Sequence, residues 1–413
     1  MSDELSVGAV LQLDVRAMAH GGEAIADAPD GRVVFVGGAV PGDTVEARLI
    51  KVKKRWARAE LLRVHHPSAD RVDPTCPATS AGAGCCDFSH IAPDAQLRLK
   101  REVLVGQLGA LSRRSGVVPD GFVDTRLQVV QLNPLLGWRT RVRMGVDAAG
   151  NAGMRKARST QVVGGVRCTQ VVPELLDGVV GAGASTFTPG SELIAVLDAD
   201  GNRHVVESQA SQRGRRVERV ERVVEGTGTV VERVDGHEFG FPPTAFWQAH
   251  TNAPGVYSAL IREWATDDYH GRGGWDLYGG VGAFVPAIVQ ATGGARVDSV
   301  DYSASATARR QRVEDEFDLH THNATVDEGI DGLPAPGLVV LDPPRAGAGA
   351  GVVAKIAQAA PQRVVHIGCD PATFARDLAA FGENGYVVEH MALIDAFPNT
   401  HHFEVLASLV PRG

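Results

Sequence analysis

Between Gly274 and Val289 the chain reads Gly-Trp-Asp-Leu-Tyr-Gly-Gly-Val-Gly-Ala-Phe-Val-Pro-Ala-Ile-Val: a short apolar strand, a glycine-rich turn and the first residues of a helix. That order is the opening unit of an open α/β sheet, and no other stretch narrows the possible architectures so far. Gly280 and Gly282 allow a tight turn and a close approach of backbone to a ligand, just beyond Tyr278. The next apolar run leads to Asp301, about 20 residues on, where a carboxylate can accept hydrogen bonds from ribose hydroxyls. The third glycine of the dinucleotide fingerprint is missing, and the turn residues cluster one step early, directly after Asp276-Leu-Tyr278. These departures favour S-adenosylmethionine over a nicotinamide cofactor, and Asn323 and Asp342 join the candidate contacts to it.

Two further strands lead into reactive side chains. Leu338-Val-Val-Leu341 runs into Asp342-Pro-Pro-Arg345, whose prolines stop the strand and stiffen the turn that presents Asp342 and Arg345. Enzymes that methylate exocyclic amines commonly place an aromatic residue after two such prolines; Arg345 stands there instead, which argues against amine chemistry. Val364-Val-His-Ile367 reads as a buried strand, and Cys369 lies between it and a helix predicted to begin at Pro371. A sulfur just before a helix N-terminus meets unpaired N–H groups and the positive end of the dipole. The sequence therefore predicts a thiol that ionises more readily than the usual ~8.5.

On these motifs the chain resembles the uridine-C5 RNA methyltransferases, over nearly its whole length. The family's Cys-Asn-Pro-Ala-Thr is matched by Cys369-Asp-Pro-Ala-Thr373 and its Asp-Pro-Pro-Arg by residues 342–345. Its terminal Phe-Pro-x-Thr-x-His-x-Glu is matched by Phe397 to Glu404, and its Phe-Phe-Gln by Phe246-Trp-Gln248. Asp370 and Ala283 stand where the family has asparagine. The resemblance implies an α/β, Rossmann-like class I methyltransferase domain using S-adenosylmethionine, with Gln248 touching that cofactor. Uracil C5 is a poor nucleophile until a thiolate adds at C6 and turns the ring into an enolate. The resemblance gives that addition to Cys369 and removal of the C5 proton to Glu404, with Asp342 in the catalytic set. Arg345 is the candidate donor to the charge developing on O4. Trp247, Tyr278 and Phe397 are candidate walls for the extruded base.

The remainder divides into two expected units before the methyltransferase domain at 246–413. Residues 1–63 alternate short apolar runs with Gly21-Gly22 and Pro41-Gly-Asp43, which reads as an OB-like β-barrel and resembles the TRAM RNA-binding domain. Residues 64–245 are expected to form a central, strand-rich RNA-contacting domain, with Gln209 to Gly226 as an exposed loop or hairpin. A net charge of -8 over 413 residues looks wrong for a nucleic-acid enzyme, but it conceals two basic sets. One is Lys51, Lys53, Lys54, Arg55, Arg58 and Arg63; the other is Arg139, Arg141, Arg143, Arg155, Lys156 and Arg158, all candidate phosphate contacts. Met1-Ser-Asp-Glu-Leu5 lacks a signal-peptide pattern and no apolar run approaches ~18 residues, so the expectation is a cytoplasmic, monomeric enzyme with no membrane partner.

Cys76, Cys85 and Cys86 share one Gly/Ala-rich loop, and Cys168 lies far downstream. In a cytoplasmic chain such a set points to metal, either a 4Fe–4S cluster or structural zinc. Ribosomal-RNA members of the family carry a 4Fe–4S cluster on a Cys-x₅-Cys-x-x-Cys loop plus a distant fourth cysteine. Cys76, Cys86 and Cys168 match those positions, but Ala83 occupies the middle ligand's place and Cys85 adjoins Cys86. Neighbouring side chains tend to diverge, which leaves a relic site of reduced thiols as the alternative. By resemblance, the barrel and the cysteine loop favour ribosomal RNA of the large subunit over transfer RNA as partner. The rivals are a transfer-RNA enzyme and an inactive RNA-binding assembly factor; intact Cys369, Asp342 and Glu404 oppose the second.

Overall fold

The computed structural model describes residues 5–213, 216–303 and 312–413; the expectation about the first residues and the tip of the Gln209–Gly226 segment, at 214–215, lie outside these. Strands Val10–Met18, Glu23–Asp27, Val33–Gly37, Trp56–His66 and Thr44–Val52 close, in that order, into a five-stranded barrel. Its interior follows the strand period of two, with Leu13, Val15, Ala24, Ala26, Val34, Val36, Val45, Ala47 and Leu49 buried and their neighbours turned outward. At the Gly21-Gly22 turn a Cβ on Gly22 would lie 2.9 Å from the His401 Cβ, so only glycine lets the barrel close down on the chain's last loop.

A six-stranded antiparallel sheet follows, in the order Arg216–Glu225, Arg203–Arg213, Glu192–Leu197, Arg141–Val146, Ala152–Arg155 and Val162–Gly164. The first two of these form the long hairpin expected for the arginine- and valine-rich segment.

The largest sheet has eight strands, in the order Leu319–His322, Val297–Val300, Gly274–Leu277, Leu338–Leu341, Arg363–Gly368, Glu404–Pro411, Tyr386–Asp395 and Leu127–Gln131. The first five are parallel, and Glu404–Pro411 runs antiparallel to both its neighbours. The four central strands from Val297 to Gly368 are buried at every position, as expected where helices cover both faces. Chain order reverses about Gly274–Leu277, which makes the crevice at its carboxyl end the place for a ligand. The segment 64–245, expected as one central unit, contributes beyond the six-stranded sheet: Val230–Val234 and His237–Phe241 pair as a separate two-stranded sheet. Leu127–Gln131 pairs in parallel with Met391–Asp395 and completes the eight-stranded sheet, and helix Pro93–Ser115 packs on helix Pro371–Glu383. Among the described residues no helix is long and apolar enough to cross a membrane.

Candidate active site

A cavity of 730 Å³ opens at the reversal point. Tyr278, Gly280, Asp301, Asp342, Arg345, Cys369, Gln248 and Glu404 all line it, gathered from five strand ends and a loop. Gly282 and Asn323 do not. Gly282 turns the backbone behind the wall, its N–H donating to Gly279 O, and Asn323 is exposed while Thr325, Val326 and Asp327 form the wall there. Gly280 has a positive φ of 54° and a Cβ there would meet open space, while its N–H donates to Asp301 Oδ2 at 2.7 Å. The acid and the glycine turn thus brace each other, and the carboxylate keeps lone pairs for a ligand.

Register sets the reactive pair. Gly368 pairs with Val405, so the residues one step beyond and one step before, Cys369 and Glu404, reach the same cavity. Asp370 then caps helix Pro371–Glu383: its Oδ1 accepts from the N–H groups of Ala372 and Thr373, and its Oδ2 pairs with His20 Nε2 of the barrel at 2.9 Å. Burial pushes the Asp370 carboxyl up, but the Thr373 N–H and His20 outweigh it and hold it below the usual range.

The expectation of an easily ionised Cys369 is overturned. Burial pushes the thiol up, the Glu404 and Asp342 carboxyls push it further and Arg345 opposes them, leaving it at about 12. Two carboxyls beside a half-buried sulfur outweigh the helix N-terminus, whose first N–H groups are spent on Asp370. Asp342 is raised to about 7, by burial and then by Asp276; the part of it that is exposed opens into the cavity. Glu404, 4% exposed, is held well above the carboxylate range by burial and then by Asp342. Three acids therefore compete for little negative charge, and Arg345, exposed at the rim, is the cation acting on two of them.

The aromatic assignments shift. Phe397 packs edge-on against Trp138 and His402 and does not line the cavity, and Trp247 is buried against Phe239 and Phe241 with part of it on the cavity wall. Phe246, 64% exposed, and Tyr302, 73% exposed, are exposed aromatic residues on the same cavity wall, and the Phe-Trp-Gln motif is the sequence signal for the first. Of the second basic set, Arg139 lies over the Trp138 ring, and Arg141 donates to Ala245 O and pairs with Glu232 at 3.8 Å; neither side chain faces solvent as Arg143, Arg155 and Arg158 do.

Asp377 carries a role the sequence reading did not assign. Buried on helix Pro371–Glu383, it accepts from the N–H groups of Ala348 at 2.7 Å and Gly349 at 3.0 Å and from His366 at 3.1 Å. It locks the loop after Asp342-Pro-Pro-Arg345 to the helix that follows Cys369; the histidine within the apolar run Val364-Val-His-Ile367 is the available hint. Asp377→Ala strands these donors, so urea unfolding should show a loss of about 2–4 kcal/mol, and Asp377→Asn a smaller one.

Two families match by sequence: a TRAM domain over residues 4–62 and tRNA (uracil-5-)-methyltransferase over residues 335–410. An uncharacterized RNA methyltransferase of Corynebacterium glutamicum is 48% identical, the alignment covering 98% of each chain. The chain belongs to the uracil-C5 RNA methyltransferase family. A second such relative, from Corynebacterium efficiens, is 49% identical over 98% of this methyltransferase and 95% of the relative. A solved Pyrococcus abyssi tRNA (uracil-54, C5)-methyltransferase, in complex with S-adenosyl-L-homocysteine, shares the fold. It gives a TM-score of 0.71 at 20% identity and covers 97% of this methyltransferase and 100% of that chain. The enzyme is an S-adenosylmethionine-dependent RNA uracil-C5 methyltransferase with an N-terminal TRAM barrel.

Proposed function

We propose that this methyltransferase modifies C5 of a uridine in ribosomal RNA through a covalent bond between Cys369 and C6 of the base. The observation that carries the mechanism is one cavity holding a strand-end thiol, a buried carboxyl in register with it and a glycine turn braced by an acid. S-adenosylmethionine would rest against Tyr278, Gly280, Asp301, Gln248 and Asp342, and it supplies the electrophilic methyl group. Cys369 adds to C6 as the thiolate, its proton passing to water, and the ring electrons move towards O4, where Arg345 is the donor. With the methyl on C5, Glu404 takes the C5 proton; its raised proton affinity suits that task. Cleavage of the C6–S bond then returns the thiolate. Phe246 offers a face for the extruded uracil.

The choice of ribosomal RNA rests on the cysteine loop shared by resemblance with the ribosomal-RNA members. The barrel alone does not discriminate, since the Pyrococcus fold named for transfer RNA spans nearly the whole chain. Incubation with 5-fluorouridine-substituted ribosomal or transfer RNA and cofactor tests both points, because fluorine at C5 cannot leave as a proton does. A protein–RNA adduct stable to denaturation is expected with ribosomal RNA. Trapping on transfer RNA alone reassigns the target; trapping on neither removes the covalent mechanism.

A further inference from the structure

The four cysteines are brought together 76 to 168 residues into the chain, at the meeting of the cysteine loop and the six-stranded sheet. Their sulfur–sulfur distances are 3.6 Å for Cys85–Cys86, 3.6 Å for Cys85–Cys168, 3.7 Å for Cys86–Cys168 and 4.0 Å for Cys76–Cys168. The Cys76, Cys86 and Cys168 sulfurs all lie within 4.8 Å of one another, and none of the cysteines is in a disulfide. The neighbours Cys85 and Cys86 converge because the chain bends at Gly84 and Cys85, where the alternation of an extended strand does not apply.

These spacings decide between two kinds of metal group. In a 4Fe–4S cluster each thiolate binds its own iron at a separate corner, which holds the sulfurs roughly 6 Å apart around the inorganic core. Around one ion with bonds of about 2.3 Å, tetrahedral geometry sets the sulfurs about 3.8 Å apart. The four contacts of 3.6, 3.6, 3.7 and 4.0 Å fit the second and are too short for the first, and Cys85 reaches the set of Cys76, Cys86 and Cys168 from the side of Cys86 and Cys168. We propose that Cys76, Cys85, Cys86 and Cys168 bind a single tetrahedral divalent cation of the zinc class and not an iron–sulfur cluster.

An independent feature agrees. Four thiolates around a divalent ion leave two negative charges, and the Arg139 guanidinium stands close enough to Cys168, Cys85 and Cys86 for their charge to act on it. Its Nε is buried with no hydrogen-bond partner, as suits a cation kept for charge and not for a neutral acceptor. The site also braces the catalytic end of the chain. Gln170 Nε2 donates to both Cys85 O and Pro398 O, each at 3.2 Å, and Phe88 N–H donates to Asn399 O at 3.0 Å, within the loop that leads into Glu404.

The test is elemental analysis of the full-length protein, purified anaerobically without chelators, together with an acid-labile sulfide assay and Co²⁺ exchange. One zinc per chain is expected, with no labile sulfide. The cobalt form should show the intense visible and near-ultraviolet bands of tetrahedral thiolate coordination, saturating at one ion per chain. Cys85→Ser and Cys86→Ser should each weaken the thiolate-to-cobalt absorption. About four irons and four sulfides per chain would overturn the proposal, as would a folded chain that takes up no metal from excess Zn²⁺. A Cys85→Ser protein with unchanged cobalt bands would overturn the four-ligand assignment.

Discussion

Cys369→Ala should lower methyl transfer to RNA by about 10⁴-fold or more and form no covalent complex, whereas Glu404→Gln should lower it by ~10²–10⁴-fold and accumulate one. The two residues share a cavity but act on opposite sides of the methyl transfer. Removing the sulfur leaves uracil C5 without the enolate that makes it reactive, so nothing downstream can occur. Removing only the base leaves addition and methylation intact and stops the reaction at the 5,6-dihydro adduct, which loses its sulfur only after the C5 proton has gone. Glu404→Gln is close to isosteric, and burial raises the proton affinity of Glu404 so that an uncharged side chain suits its surroundings; the variant should fold normally. The readout is the shifted protein–RNA band on a denaturing gel against product formation. A Glu404→Gln enzyme that turns over normally, or that accumulates no adduct while losing activity, would remove this carboxylate from the role of base.

The parts of this site that could be read in the sequence are those set by local chain chemistry. Apolar runs broken by Gly280, by Pro343 and by Pro371 place Tyr278, Asp342 and Cys369 at strand ends, and strand ends of an open α/β sheet face one crevice. The barrel was legible for a similar reason: alternation and glycine turns are local. What escaped is what only tertiary packing sets. The pairing of Gly368 with Val405 is a long-range register that no window of sequence contains. The Cys369 thiol was misjudged because the helix N-terminus is a local feature, while the opposing carboxyls of Glu404 and Asp342 come from other strands. Asp377 reads as an ordinary polar helix residue until the fold sets His366 and the N–H groups of Ala348 and Gly349 around it. Leu127–Gln131 lies far from the other strands of its sheet in sequence, and only its pairing with Met391–Asp395 reveals where it belongs.

Asp342→Asn should separate stability from function. In the folded protein Asp342 binds its proton up to about pH 7, against an ordinary value of 3.8 for a free carboxyl. Between those two values the folded state holds the proton and the unfolded state does not, so unfolding free energy falls as pH rises through this window and stays lowered above it. Three pKa units would amount to about 4 kcal/mol, and allowing for the part of the carboxyl that opens into the cavity leaves on the order of 2–4 kcal/mol. The asparagine variant lacks this slope. Urea unfolding should therefore find it more stable than the parent at pH 8 and much closer to it at pH 4. The same substitution removes a charge that pushes up both Glu404 and Cys369, so alkylation of Cys369 should become faster at a given alkaline pH. Asp342 also lines the cavity proposed to hold the cofactor, and if it contacts the cofactor there, a lost charge-assisted hydrogen bond of about 1.5–3 kcal/mol corresponds to cofactor binding weaker by about 10- to 100-fold. Parallel pH slopes for parent and variant would show that the carboxyl at 342 is ionised throughout. The crowding of acids around Cys369 would then not explain its reluctance to ionise.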